Sequence, residues 1–206
     1  MRKWILTLCA LATVFSLAAC SSAPSSASTP ASEPASSAST ESVSEPASES
    51  TPDENTQADY TAYSIEFDVP EGFEQMDATG TGTAALYQAS DGSSVNVVIM
   101  ENNGSLASDV AMEDLVGPLE QAFSEQFGEE VYLLDVKFET GTLGVCPYYR
   151  LDYSVTVAGV ELYQTALGIN ADRAYTITYT DTTYGGWSEA FEQSIDSIKF
   201  VESTQT

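Results

Sequence analysis

Pro147-Tyr148-Tyr149-Arg150-Leu151-Asp152-Tyr153-Ser154-Val155-Thr156-Val157 alternates in character along its length. Successive strand side chains point to opposite sides, so Tyr149, Leu151, Tyr153, Val155 and Val157 fall on one face. Ala158-Gly159 then turns the chain into a second expected strand, Glu161 to Ile169. Asn170-Ala171-Asp172 turns it again into Ala174 to Thr180, where Tyr175, Ile177 and Tyr179 alternate with threonines. Turns this short join antiparallel neighbours, because a parallel crossover needs a dozen or more residues. The stretch is an antiparallel meander.

Reading outward from it, Glu130 to Phe138 is expected as the strand before the meander. Upstream, Met112, Leu115, Leu119, Phe123 and Phe127 recur every three or four residues, which marks one face of a helix. Gly117-Pro118 interrupts that face and predicts a kink or two short helices, and Gly128 is the C-terminal stop. Further upstream, Tyr63 to Val69, Ala84 to Gln88 and Ser94 to Met100 read as strands. Pro70-Glu71-Gly72-Phe73 and Ser90-Asp91-Gly92 supply the turns. The chain closes on a helix with Trp187, Ala190, Phe191, Ser194, Ile195 and Ile198 on one face. The expected class is α+β, an antiparallel sheet meander packed by helices, in one domain over 59–206.

Two parts of this pattern resemble a known group. The opening Phe67-x-Val69-Pro70-Glu71-Gly72-Phe73 and the ending Phe191-x-x-Ser194-Ile195-x-Ser197-Ile198-x-Phe200 are similar to the PsbP-like and DcrB-like lipoproteins and extrinsic photosystem proteins. That group usually has Trp where Phe73 stands. The resemblance covers about residues 60–201 and implies an α/β/α sandwich around an antiparallel sheet. Members of that group are mostly non-catalytic accessory or assembly proteins or of unknown function, so the resemblance implies a role of that kind.

The N-terminal segment carries an address. Arg2-Lys3, an apolar stretch from Trp4 to Leu17 and a run of small residues follow signal-peptide grammar over 1–19. The apolar stretch is shorter than the roughly 20 residues a spanning helix requires. Leu17-Ala18-Ala19-Cys20 resembles the bacterial lipobox, which implies cleavage after Ala19 and acylation of Cys20. Two acyl chains, at about 0.8 kcal/mol per buried CH₂, anchor stably where one does not. An ordinary secreted protein cleaved near Ala19 is the alternative. Residues 21–58 are rich in Ser, Ala, Pro and Glu, hold no aromatic residue, and are expected to be a disordered tether. As a coil it would average roughly 35 Å end to end, and in extended polyproline form it would reach about 115 Å. Localisation is thus expected at the cell membrane, lipid-anchored on its extracytoplasmic face.

Composition narrows the chemistry. The 206 residues hold 31 acidic, 6 basic and no histidine side chains, a formal charge of −25. Nucleic-acid binding is excluded as an expectation, because it depends on Lys and Arg displacing counterions. Lack of histidine removes the Ser-His-Asp and Cys-His arrangements and most zinc sites. With Cys9 in the signal peptide and Cys20 lipidated, Cys146 stands alone, a small buried hydrophobe by expectation.

No catalytic residue, metal ligand or cofactor is expected. The neighbouring carboxylates Glu113-Asp114 and Glu129-Glu130 point apart on regular elements, while a wall-glycan hydrolase with a carboxylate pair distant in sequence stays open. Calcium or small-ligand binding is the leading alternative. Glu101-Asn102-Asn103 with Asp109, or Asp181-Thr182-Thr183, could supply oxygens, although both also read as turn and capping residues. Tyr148, Tyr149, Tyr153, Tyr163, Tyr175 and Tyr179 suggest a cross-strand aromatic ladder, serving the core or an interface. Arg150 and Arg173 read as local ion-pair partners. The functional expectation is a non-catalytic binding or assembly module of the cell envelope. Its partners would be the membrane through Cys20 and an envelope protein or small extracytoplasmic ligand.

Overall fold

Alternation along the chain becomes strand pairing in three dimensions. The computed structural model describes residues 59–78 and 82–203. Ala19, Cys20, the expected signal peptide and the expected tether lie outside the described residues. The strands are β1 (Tyr63–Glu66), β2 (Glu74–Met76), β3 (Thr83–Gln88), β4 (Ser94–Met100), β5 (Leu133–Leu143), β6 (Cys146–Val157), β7 (Val160–Asn170), β8 (Ala174–Asp181) and β9 (Lys199–Glu202). Helices α1 (Met112–Phe127) and α2 (Ser188–Asp196) complete the described elements, with short 3-10 turns at Tyr60–Ala62 and Ala107–Asp109.

Seven strands form one sheet in the order β2-β3-β4-β8-β7-β6-β5, every neighbouring pair antiparallel. The meander reads as expected, with Leu151 opposite Ala166 and Leu167 opposite Ile177. Paired residues share a face, so the registers divide the sheet into two sides. On one side Leu133, Leu151, Tyr153, Val155, Val157 and Leu162 pack against Phe123 of α1 and its partly buried neighbours Leu115, Leu119 and Phe127. On the other side Val95, Val97, Leu167, Ile177 and Tyr179 pack against Phe191 of α2, with Trp187 and Ile195 beside it. The two helices lie on opposite faces, giving the α/β/α sandwich.

Several elements differ from their expected form. Helix α1 is one continuous element through Pro118. Proline there removes the bond its N–H would have made to the carbonyl of Asp114 and crowds that carbonyl with its ring. Packing of the Leu115, Leu119, Phe123 and Phe127 face on the sheet outweighs that loss. Gly128 ends the helix in the left-handed region, φ 71°, as a C-terminal stop requires. Strand β1 stops at Glu66. Strand β5 starts at Leu133 and continues to Leu143, well past Phe138. It is an edge strand, so Glu139-Thr140-Gly141-Thr142 need no apolar alternation.

Strands β2 and β9 were not expected at all. Strand β2 is three exposed residues, and β9 follows the terminal helix, which ends at Asp196 before Ile198. Strand β9 pairs with β1 in a separate two-stranded sheet, Tyr63 opposite Glu202 and Glu66 opposite Lys199. Phe73 packs edge-on to Trp187 at 4.8 Å and Phe191 at 5.8 Å. The Pro70–Phe73 turn thereby ties the start of the domain to α2.

Candidate functional site

The six meander tyrosines do not form a ladder. Tyr149 and Tyr153 face α1, whereas Tyr148, Tyr163, Tyr175 and Tyr179 face the α2 side, as period-two alternation and the registers require. Tyr149, Tyr153, Tyr175 and Tyr179 are core residues. Tyr153 donates to Gln164, whose amide donates to Thr180 Oγ1 at 2.8 Å, an internal polar chain.

The acidic loops put their oxygens to structural use. Asp181 is buried; its Oδ1 accepts from the Thr183 N–H at 2.6 Å, and its Oδ2 accepts from the Trp187 N–H at 3.0 Å. It thus fixes the loop that leads into α2. Asn102 donates to the Ala171 carbonyl and accepts from Asn170, while Asn103 accepts from the Ser105 N–H. Glu101 pairs with Arg173. Among the described residues no three carboxylates or cysteines converge as a metal-binding group. Partial burial works against the charged form of Asp91, but bonds from the Ser93 N–H and the Trp187 indole outweigh it and lower its pKa.

The remaining singled-out residues are structural. Arg150 donates Nε to both oxygens of Asp152 and its fork to Glu192, fastening β6 to α2. The Arg150 hydrogen bond lowers the Glu192 pKa against the effect of partial burial. Glu129 accepts from the Ala158 N–H at the β6–β7 turn. Burial, and secondarily the charge of Asp172, push the Cys146 thiol up to about 11. With no exposed surface, that sulfur is chemically quiet.

On the α2 face, helix α2 covers the central strands, and residues of β1 and β9 cover Cys146 and Ile169. On the same face one lateral row runs Leu134, Ser154, Tyr163, Asp181 across four strands. Leu134 is 52% exposed, Tyr163 37%, and Tyr184, from the loop after β8, 71%. The Tyr163 and Tyr184 rings meet edge to face, 6.5 Å between centroids. Beneath them Ser154 is 1% exposed and its hydroxyl has no hydrogen-bond partner. The Tyr163 hydroxyl donates to Glu161 at 3.1 Å. That bond first, then slight desolvation and the charges of Glu161 and Asp135, raise the Tyr163 pKa.

Backbone geometry marks the same place. Three non-glycine residues among those described have positive φ: Asp135 at 52°, Ala158 at 49° and Tyr184 at 60°. Tyr184 is one member of the aromatic pair, and Asp135 lies close enough to act on the other, Tyr163. Asp135 sits in a bulge, where the register slips between Leu134 and Lys137, and such bulges redirect side chains at sheet edges. Conformations of this kind are costly and cluster at functional sites. We therefore take Leu134, Asp135, Ser154, Glu161, Tyr163 and Tyr184 as the candidate site, an open aromatic and acidic shelf. Sequence reading singled out only Tyr163 of these. The others join it through the bulge and the strand register, and the one local hint was Tyr184-Gly185-Gly186, an aromatic residue held in a glycine loop. A second opening, a cleft of about 360 Å³, lies between Ile65–Val69, Tyr87, Ser197 and Lys199.

No family model matches the sequence, and no curated protein matches it. Solved structures do match. Cyanobacterial PsbP (CyanoP) from Synechocystis sp. PCC 6803 superposes with a TM-score of 0.54 at 15% identity, over 72% of this chain and 89% of that one. The fold is PsbP-like. LpqN of Mycobacterium tuberculosis, a protein involved in cell envelope biogenesis, matches with a TM-score of 0.37 at 11% identity, over 70% of this chain and 87% of that one. PA94 of Pseudomonas aeruginosa, of unknown function, matches with a TM-score of 0.39 at 16% identity, over 70% and 85%. At these identities a likeness concerns architecture and not chemistry. Among the described residues no helix is long and apolar enough to cross a membrane.

Proposed function

We propose that this protein is a lipid-anchored extracytoplasmic lipoprotein whose PsbP-like domain is a non-catalytic binding or assembly module of the cell envelope. The observation that carries the reading is Leu17-Ala18-Ala19-Cys20, placed after a basic and apolar leader and before a Ser/Pro-rich segment. In this reading Cys20 becomes the acylated first residue and 21–58 holds the domain away from the bilayer. The domain fits a binding role because two exposed aromatic side chains, Tyr163 and Tyr184, meet on one shelf, while its inner carboxylates hold backbone N–H groups and ion-pair partners. Aromatic side chains bring large contact area at low entropic cost, which suits an interface. The calcium alternative gains nothing from the loops, whose oxygens already bond to the protein's own donors.

The test is metabolic labelling of the full chain with an alkyne fatty acid in a bacterial host. The wild-type chain should carry label and partition into the detergent phase, and Cys20→Ala should lose both. Release of an unlabelled, soluble wild-type chain would overturn the assignment.

A further inference from the structure

The shelf offers carboxylate acceptors and two aromatic faces. Asp135 and Glu161 lie beside the Tyr163–Tyr184 pair, the buried, unpartnered Ser154 hydroxyl lies beneath it, and among the described residues no Lys or Arg forms an ion pair with either carboxylate. Between Asp59 and Thr206 there are only four basic residues against 25 acidic ones. Arg150 and Arg173 are already engaged, the first at Asp152 and Glu192, the second at Glu101. Lys137 closes the bulge on the same sheet face and Lys199 lies in β9, and among the described residues neither forms an ion pair with a shelf carboxylate.

We propose that the shelf is a docking surface for a lysine- or arginine-bearing segment of a cationic partner protein. This rests on the reading of the domain as a binding module and gives its partner a chemistry. A cation over a tyrosine face is attracted by the ring quadrupole, and adjacent carboxylates add charge-assisted hydrogen bonds. Around the site the acidic surface would speed encounter with such a partner. Tyr184 and Asp135 are held in left-handed backbone conformations, so the ring and the carboxylate are presented in advance. Leu134, half exposed beside them, matches the aliphatic stem of a lysine or arginine.

The full chain, solubilised in detergent, is titrated with fluorescein-labelled hexalysine and followed by anisotropy at near-physiological salt. Saturable binding is expected. Tyr184→Gly, which keeps the positive φ, and Asp135→Asn, which tolerates it, should each weaken binding about two- to fivefold. Glu71→Gln with Glu74→Gln removes two charges near the opposite sheet edge and should leave binding within about twofold. No saturable binding, or equal losses from shelf and remote variants, would overturn the proposal, because charge alone would then account for it. Binding of an uncharged N-acetylglucosamine oligomer that displaces hexalysine and depends on the same tyrosine would also overturn it, in favour of a glycan surface. Fatty-acid labelling at Cys20 is read separately, so failure here is distinguishable from failure of the lipoprotein assignment.

Discussion

Gly168 carries no side chain because Tyr149 already occupies the space where one would stand. A β-carbon at 168 would lie 2.1 Å from Tyr149 Cε1 and 2.4 Å from Cζ. The ring is buried and also packs on Phe138, with centroids 6.4 Å apart, so it has little room to retreat. Gly168→Ala should cost about 1–3 kcal/mol by overpacking. In a domain of this size that lowers the melting temperature by roughly 2–4 °C per kcal/mol. An unchanged melting curve would show that Tyr149 can turn aside. This constraint was hidden in the sequence, where a lone glycine inside Glu161 to Ile169 only weakens a strand. The register opposite Tyr149 gives it meaning.

At the level of elements, α2 is held by packing and by one ionic fastening. Arg150 reaches it from β6 through Glu192, whose pKa is lowered in the folded protein. A carboxylate with a lowered folded pKa contributes stability above its unfolded pKa and loses it as pH falls through the folded value. Glu192 is half exposed, so its contribution at neutral pH is about 0.5–1 kcal/mol. Glu192→Gln should therefore melt lower than wild type at pH 7, and the two curves should converge near pH 3. A gap that stays constant across that range would assign the effect to packing alone. The fastening was partly legible, since Arg150 reads as an ion-pair partner. Its target was not, because 42 residues separate the pair.

Legibility varied with how much of an element is buried. Strands β6, β7 and β8 show in the sequence because burial imposes period-two spacing. The expected strand at Glu130–Phe138 missed the true span because a bulged edge strand has no such obligation. Strands β2 and β9 are short and largely exposed, so no hydrophobic pattern marks them. Helix α1 shows in its period but not in its continuity, since Pro118 is a local signal and packing a tertiary one. The shelf was the least legible feature. Its residues come from β5, β6, β7 and the loop after β8, and the bulge and the strand registers bring them together.

Over the whole molecule, charge is the dominant unbalanced quantity. The 25 acidic and four basic residues between Asp59 and Thr206 leave a formal charge of −21, which repels itself more in the compact state than in the expanded chain. Salt screens that repulsion over a Debye length of about 10 Å at 0.1 M. The melting temperature should therefore rise as sodium chloride goes from about 0.01 to 0.5 M. A fall would mean that the Arg150 and Arg173 pairs outweigh the general repulsion.

The pairing of β1 with β9 has a mechanical consequence. The first and last strands of the domain are clasped together, Tyr63 against Glu202, with the Ser203 N–H donating to the Ala62 carbonyl at 2.7 Å. A pull arriving at Asp59 from the N-terminal side reaches this clasp before any strand of the seven-stranded sheet. Four residue pairs would yield first, as a fuse does, and the large sheet with its shelf would stay folded behind them.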